Sequence, residues 1–243
     1  MMRGAPGRRW RAPPLISRAS LGPGRTGPAE RASCYVPRVV ALAIDDILRA
    51  AIQFDVKRRD AGMNLHASAL DLFSALERAG VDYTLVGGIA LLSFIPGRNT
   101  QDVDIIVDAA ALPTIAWNGI RLDRDFGKAS FAGVDVDLLF TDNPVFLHVS
   151  RQERGRIDFE GIQVPCASRA GLVTLKLYAL PSLYRQANLA RAALYEADVK
   201  MLLLDSVVDL EQIYAFLEPH LSKSDISELR RIVLDLLAPR RFA

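Results

Sequence analysis

A chain of 243 residues that is 50% apolar and 24% charged has enough material for a substantial core, which excludes an intrinsically disordered protein. No apolar run reaches the roughly 18 to 20 residues of a bilayer-spanning helix and no positively flanked apolar signal segment is present, so the expectation is a soluble, cytoplasmic protein without a membrane partner. The net charge of +2 hides an asymmetry, because residues 1–38 hold eight Arg against one acid, Glu30, making that segment +7 and the remainder −5.

Residues 1–38 also contain eleven Gly or Pro and show no sustained period, the pattern of a basic segment without a fixed fold. Three readings compete for it: a basic arm for nucleic-acid phosphates, an Arg-rich transit-like peptide, and sequence upstream of the true start, with Met63 as the alternative start. Residues 39–62 read as a candidate helical extension, apolar-rich over 39–54. A core is expected over 63–166 and a helical C-terminal part over 167–243. Cys34 and Cys166 are far apart and lack Cys-x-x-Cys spacing, which argues for reduced thiols and against a zinc site or disulfide scaffold.

Leu65, Leu70, Leu72, Phe73 and Leu76 recur near helical spacing, and Gly80 stands where that helix would stop. Two strand-like runs follow at 83–86 and 103–107. Gly87 and Gly88 close the first, letting the backbone turn tightly and approach a ligand with no Cβ in the way, with amide N–H groups for phosphate oxygens. The run 89–94 reads as a short helix whose N-terminus adds favourable charge beside the same anion, ended by Pro96 and Gly97. A short helix is expected at 109–116, a hairpin over 128–140 turning at Ala132-Gly133, and a two-strand unit at 155–159 and 162–164. Ser168 is the expected N-cap of a helix bearing Leu172, Leu175, Leu177 and Leu180. Amphipathic helices at 207–217 and 226–237 close the chain, with a small basic patch at Arg240 and Arg241. His66, His148 and His220 read as surface or packing residues.

The acids carry the chemistry. In a strand, residues i and i+2 share a face about 6.6 Å apart, so Asp102 and Asp104 point the same way and reach one metal site. Hard oxygen ligands suit Mg²⁺, commonly held by one or two carboxylates, waters and substrate phosphates. The run 134–140, VDVDLLF, alternates likewise and places Asp135 and Asp137 on one face. Three converging carboxylates can hold two ions, which activate an attacking hydroxyl and stabilise a leaving pyrophosphate.

This arrangement resembles the DNA polymerase β-type nucleotidyltransferase superfamily, whose motif is an apolar residue, Gly and Gly or Ser, a spacer, Asp-x-Asp, and a third acid on a later strand. Here it reads Val86, Gly87, Gly88, thirteen residues, Asp102, Val103, Asp104, and later Asp137, which fits the family's hydrophobic-x-hydrophobic-Asp pattern better than Asp135. The segment Gly97-Arg98-Asn99-Thr100-Gln101-Asp102 is similar to the small bacterial branch of AbiEii-type and MenT-type toxins and MNT proteins, which has an Arg-x-Thr before its acids. That branch also has a Leu-Lys-Leu helix followed by an Arg-containing helix with Lys-Asp. This chain has Leu175-Lys176-Leu177, Arg191 and Ala197-Asp198-Val199, with alanine in place of that lysine and Met201 where a second Asp is usual.

The resemblance implies an α+β nucleotidyltransferase fold, a small mixed sheet flanked by helices with a helical C-terminal part. It implies Mg²⁺-dependent transfer of a nucleoside monophosphate from an NTP to an acceptor hydroxyl. Asp102, Asp104 and Asp137 would hold two metal ions, and Asp137 would bind metal or take the proton. Gly87, Gly88, Arg98, Thr100 and Lys176 would seat the nucleotide, and Asp198 would orient it or the acceptor. The toxin-like branch favours a tRNA 3′ end or a protein as acceptor, a toxin–antitoxin role and a cognate antitoxin as partner; a small molecule is a further acceptor class. Two other classes stay open, a non-catalytic, antitoxin-like binding protein of the same fold and an NTP-using kinase. For Lys176 and Asp198 the plain alternative is a helix–helix ion pair.

Overall fold

A computed structural model describes residues 65–97, 100–204 and 206–238. The basic segment 1–38, the extension 39–62, Met63, the nucleotide-binding candidate Arg98, and Arg240 and Arg241 lie outside the described residues.

The expected first helix is α1 (Leu65–Arg78), which buries Leu72, Phe73 and Leu76. It ends before Gly80, whose φ of +64° is the left-handed conformation that closes helices. The chain then builds β1 (Tyr83–Val86), α2 (Gly87–Leu92) and β2 (Asp102–Val107). Residues Ala109–Thr114 form the short helix expected at 109–116, as a 3₁₀ helix. Pro113 lies inside it and has no N–H to donate, so a regular α-helical ladder is lost there.

Three antiparallel strands follow, β3 (Asn118–Leu122), β4 (Phe126–Phe131) and β5 (Val134–Phe140). The β4–β5 hairpin turns on Ala132 and Gly133, both at positive φ, as a two-residue turn that matches strand twist requires. Next come α3 (Pro144–Gln152), β6 (Arg154–Phe159) and β7 (Ile162–Ala167), the last two joined by a second positive-φ pair, Glu160 and Gly161. The described chain ends in four helices, α4 (Arg169–Arg185), α5 (Leu189–Leu204), α6 (Leu210–Leu217) and α7 (Lys223–Leu237). Ser168 caps α4 by accepting from the Gly171 N–H at 3.1 Å, as its sequence position implies.

The strands form one seven-stranded sheet in the order β3-β4-β5-β2-β1-β7-β6. Pairing is parallel for β2/β5 and β1/β7 and antiparallel elsewhere, so the mixed α+β architecture expected from sequence is present. The central strands β1 and β2 are buried almost throughout, as strands covered on both faces must be. Helix α1 packs on β5 and β7, α3 on β2, β5 and β6, and α4 joins α3 to the C-terminal helices α5, α6 and α7. One core runs through all these layers, with Phe73, Leu85, Ile105, Phe140 and Leu177 inside it. Among the described residues no helix is long and apolar enough to cross a membrane.

Candidate active site

The site is organised by strand register. Antiparallel pairing places Val86, the last residue of β1, opposite Asp104, and parallel pairing places Asp104 beside Asp137 on β5. Asp102 lies two residues before Asp104 on the same face. Carboxylate oxygens of Asp102, Asp104 and Asp137 fall within 4.8 Å of one another, a separation one cation can bridge. Asp135, which alternation alone also allowed, is exposed and stands outside this cluster.

The glycine pair makes room for these acids. Gly87 has φ +64°, and a Cβ there would lie 1.8 Å from Asp104 Oδ2, inside the carboxylate. At Gly88 a Cβ would lie 2.2 Å from Thr100 Oγ1. The Gly88 N–H donates to Asp104 Oδ2 at 3.3 Å, so this amide meets an acid of the site itself, where sequence suggested a phosphate oxygen. Thr100 takes up a similar duty: its hydroxyl donates to Asp102 Oδ1 at 3.0 Å and fixes that carboxylate's orientation.

Burial, followed by repulsion from Asp102 and Asp137, pushes the Asp104 pKa up to about 6, while the Gly88 N–H and Lys176 oppose the rise. The three acids together are therefore an uncomfortable concentration of negative charge. Cations stand around it. Lys128 on β4, which sequence reasoning missed, donates from Nζ to Asp137 Oδ1 at 2.7 Å. Its only sequence signal is a place in the β4–β5 hairpin opposite Asp137, visible once the pairing is known.

Two helices supply the remaining positive charge. Lys176 on α4 and Asp198 on α5 form an ion pair at 2.8 Å whose side chains are 9% and 2% exposed. The helix–helix ion pair anticipated as the plain alternative is thus present, and Asp198 is not among the clustered carboxylates. Lys176 also feels Asp104, because its charge lowers that acid's pKa. Tyr195 lies beneath both basic groups, with Lys176 Nζ 3.8 Å and Arg191 Cζ 5.6 Å from its ring centroid. Arg191 is held in its charged form first by Tyr195 and also by the field of Asp104 and Asp137. Tyr195 was not legible as a site residue, since an aromatic at helical spacing reads as core.

Fold and site together define a mixed-sheet α+β protein with a carboxylate cluster able to hold a hard cation beneath a glycine bend. No family model and no curated protein matches the chain. Among solved structures it is similar to an antigenic nucleotidyltransferase-like protein from Paracoccidioides brasiliensis, at 15% identity and a TM-score of 0.45, over 69% of this chain and 92% of that one. It is also similar to ANT(2'')-Ia in complex with adenylyl-2''-tobramycin, at 12% identity and a TM-score of 0.39, over 71% of this chain and 98% of that one. Likeness at this level assigns no residue a role.

Proposed function

We propose that this protein is a Mg²⁺-dependent nucleotidyltransferase that moves a nucleoside monophosphate from an NTP to an acceptor hydroxyl. One observation carries the reading: three carboxylates on adjacent strands converge within 4.8 Å beside a bend that only glycine can make. An all-carboxylate donor set suits Mg²⁺, and a bound cation would offset the burial and the mutual repulsion that together raise the Asp104 pKa. Asp102, Asp104 and Asp137 would hold the metal. When bound, the metal neutralises phosphate charge and acidifies the attacking hydroxyl.

The residues of the chain divide the remaining work. Asp137 accepts the acceptor's proton, and the freed oxygen forms a bond to the α-phosphorus. The bond from that phosphorus to the oxygen bridging the β-phosphate breaks, and pyrophosphate departs with the electron pair. Lys176 and Arg191 balance the charge that accumulates on the leaving group. The resemblance of the Arg-x-Thr segment assigns Arg98 to the triphosphate, the bend at Gly87 and Gly88 leaves room beside Asp104 for the substrate, and Thr100 fixes the Asp102 carboxylate. Asp198 holds Lys176 in place. The resemblance of the Arg-x-Thr and Leu-Lys-Leu segments to toxin-like proteins favours a tRNA 3′ end or a protein hydroxyl as acceptor, with a cognate antitoxin as partner.

The test is incubation with each α-³²P-labelled NTP and Mg²⁺ in the presence of total RNA or cell lysate, resolved by gel. Label on an RNA or protein band, absent with Asp102→Asn, is the expected result. Label that reaches the acceptor from γ-³²P-labelled NTP in a parallel incubation, but not from the α-labelled nucleotide, identifies a kinase. No transfer, together with no thermal stabilisation by NTP and Mg²⁺, leaves a binding protein of the same fold.

A further inference from the structure

Lys128 occupies the position on β4 directly across from Asp137 on β5. Its Nζ donates to Asp137 Oδ1 at 2.7 Å, so the third carboxylate of the cluster already carries an ammonium on one oxygen. Asp135, the other acid on that face of β5, is paired across the hairpin with Ser130. Register therefore sets the lysine against the acid that joins the cluster and not against its neighbour. The side chain of Lys128 is 75% exposed, while that of Asp137 is 23% exposed. The ammonium thus reaches the carboxylate from the solvent side on a flexible stem free to swing away.

An ammonium and a divalent cation both need the lone pairs of this carboxylate, and at about 4 Å from each other they repel. Resting on the metal-dependent reading above, we infer that Lys128 is an internal counter-ion that competes with the divalent cation for Asp137 and so sets the metal affinity of the site. Lys128 is a positioning residue: it holds Asp137 in the metal-free protein and moves into solvent when the cation enters.

The test is a Mn²⁺ titration of the full chain stripped with chelator, without nucleotide, following the electron paramagnetic resonance signal of free Mn²⁺. Lys128→Gln is expected to bind Mn²⁺ about fivefold more tightly than the parent, the scale of one exposed ion pair. Lys128→Arg, which keeps the charge, is expected to stay near the parent. Raising the ionic strength should shrink the gain of Lys128→Gln. If Lys128→Gln binds no more tightly than the parent while Asp104→Asn loses Mn²⁺, the competition is overturned and the metal site stands. If neither the parent nor Lys128→Gln takes up Mn²⁺, the metal reading falls and the inference with it. Equal tightening by Arg and Gln also overturns it, because charge would then not be the cause.

Discussion

Gly87 stands so close against Asp104 that the hydrogen glycine carries in place of a Cβ is what leaves space for the carboxylate. A methyl at Gly87 would meet Asp104 Oδ2, Cγ and Cβ at 1.8, 2.2 and 2.6 Å, and no rotation of the acid's far end clears its own Cβ. Gly87→Ala adds strain at a φ of +64°. The substitution should destabilise the chain by about 2 to 4 kcal/mol and abolish Mn²⁺ uptake. Urea unfolding beside a metal titration checks both, and an unchanged titration would show that the bend does not shape the site.

The same crowding makes the site respond to pH. The Asp104 pKa stands at about 6 against an ordinary 3.8, so the folded chain holds this proton more tightly than the unfolded chain does. Above pH 6 the folded protein carries the buried charge at a cost of about 3 kcal/mol, and that cost fades as pH falls from 6 towards 3.8. Asp104→Asn should therefore stabilise the metal-free protein at pH 8 and do so far less at pH 4.5. Unfolding midpoints in chelator at the two pH values decide it. A variant less stable than the parent at pH 8 would mean that the Gly88 N–H bond outweighs the burial and repulsion.

How much of this was readable beforehand depended on how local each signal is. The Gly-Gly bend, the alternating acids and the Ser168 cap are written in adjacent residues, and they could be found. Helix α3 was missed although Asn143-Pro144 carries its start signal, an Asn side chain accepting from the Val145 N–H and a proline in the first turn. Strand β3 left no hydrophobic alternation to detect, because all five of its residues are exposed and its pairing with β4 is irregular between Asn118 and Arg121. Lys128, Tyr195 and the engagement of Thr100 with Asp102 depend on contacts between separate elements or on side-chain direction, which spacing along the chain does not encode.

The pairing of Lys176 with Asp198 invites a double-variant cycle. Both side chains are buried, so removing either partner leaves a charge without its counter-ion and should cost about 3 to 5 kcal/mol. Lys176→Met with Asp198→Leu should recover most of that loss. Nucleotide transfer should stay absent in the double variant if Lys176 also serves the triphosphate. Recovery of stability and transfer together would reduce the pair to helix packing alone.

Asp135 and Asp137 give the sharpest comparison, because they share a strand, a face and a chemical type. What separates them is register: Asp137 stands beside Asp104, whereas Asp135 stands beside Asp102 one pleat further out and is exposed. Asp137→Asn should weaken Mn²⁺ binding at least about tenfold, the scale of losing a carboxylate ligand and its charge, and should remove transfer. Asp135→Asn should change both by less than about twofold, as surface substitutions do. Because the two variants alter net charge identically, any difference between them reports position and not long-range electrostatics. Equal losses from the two would place the cation further towards the open end of β2 and β5 than the clustered carboxylates indicate.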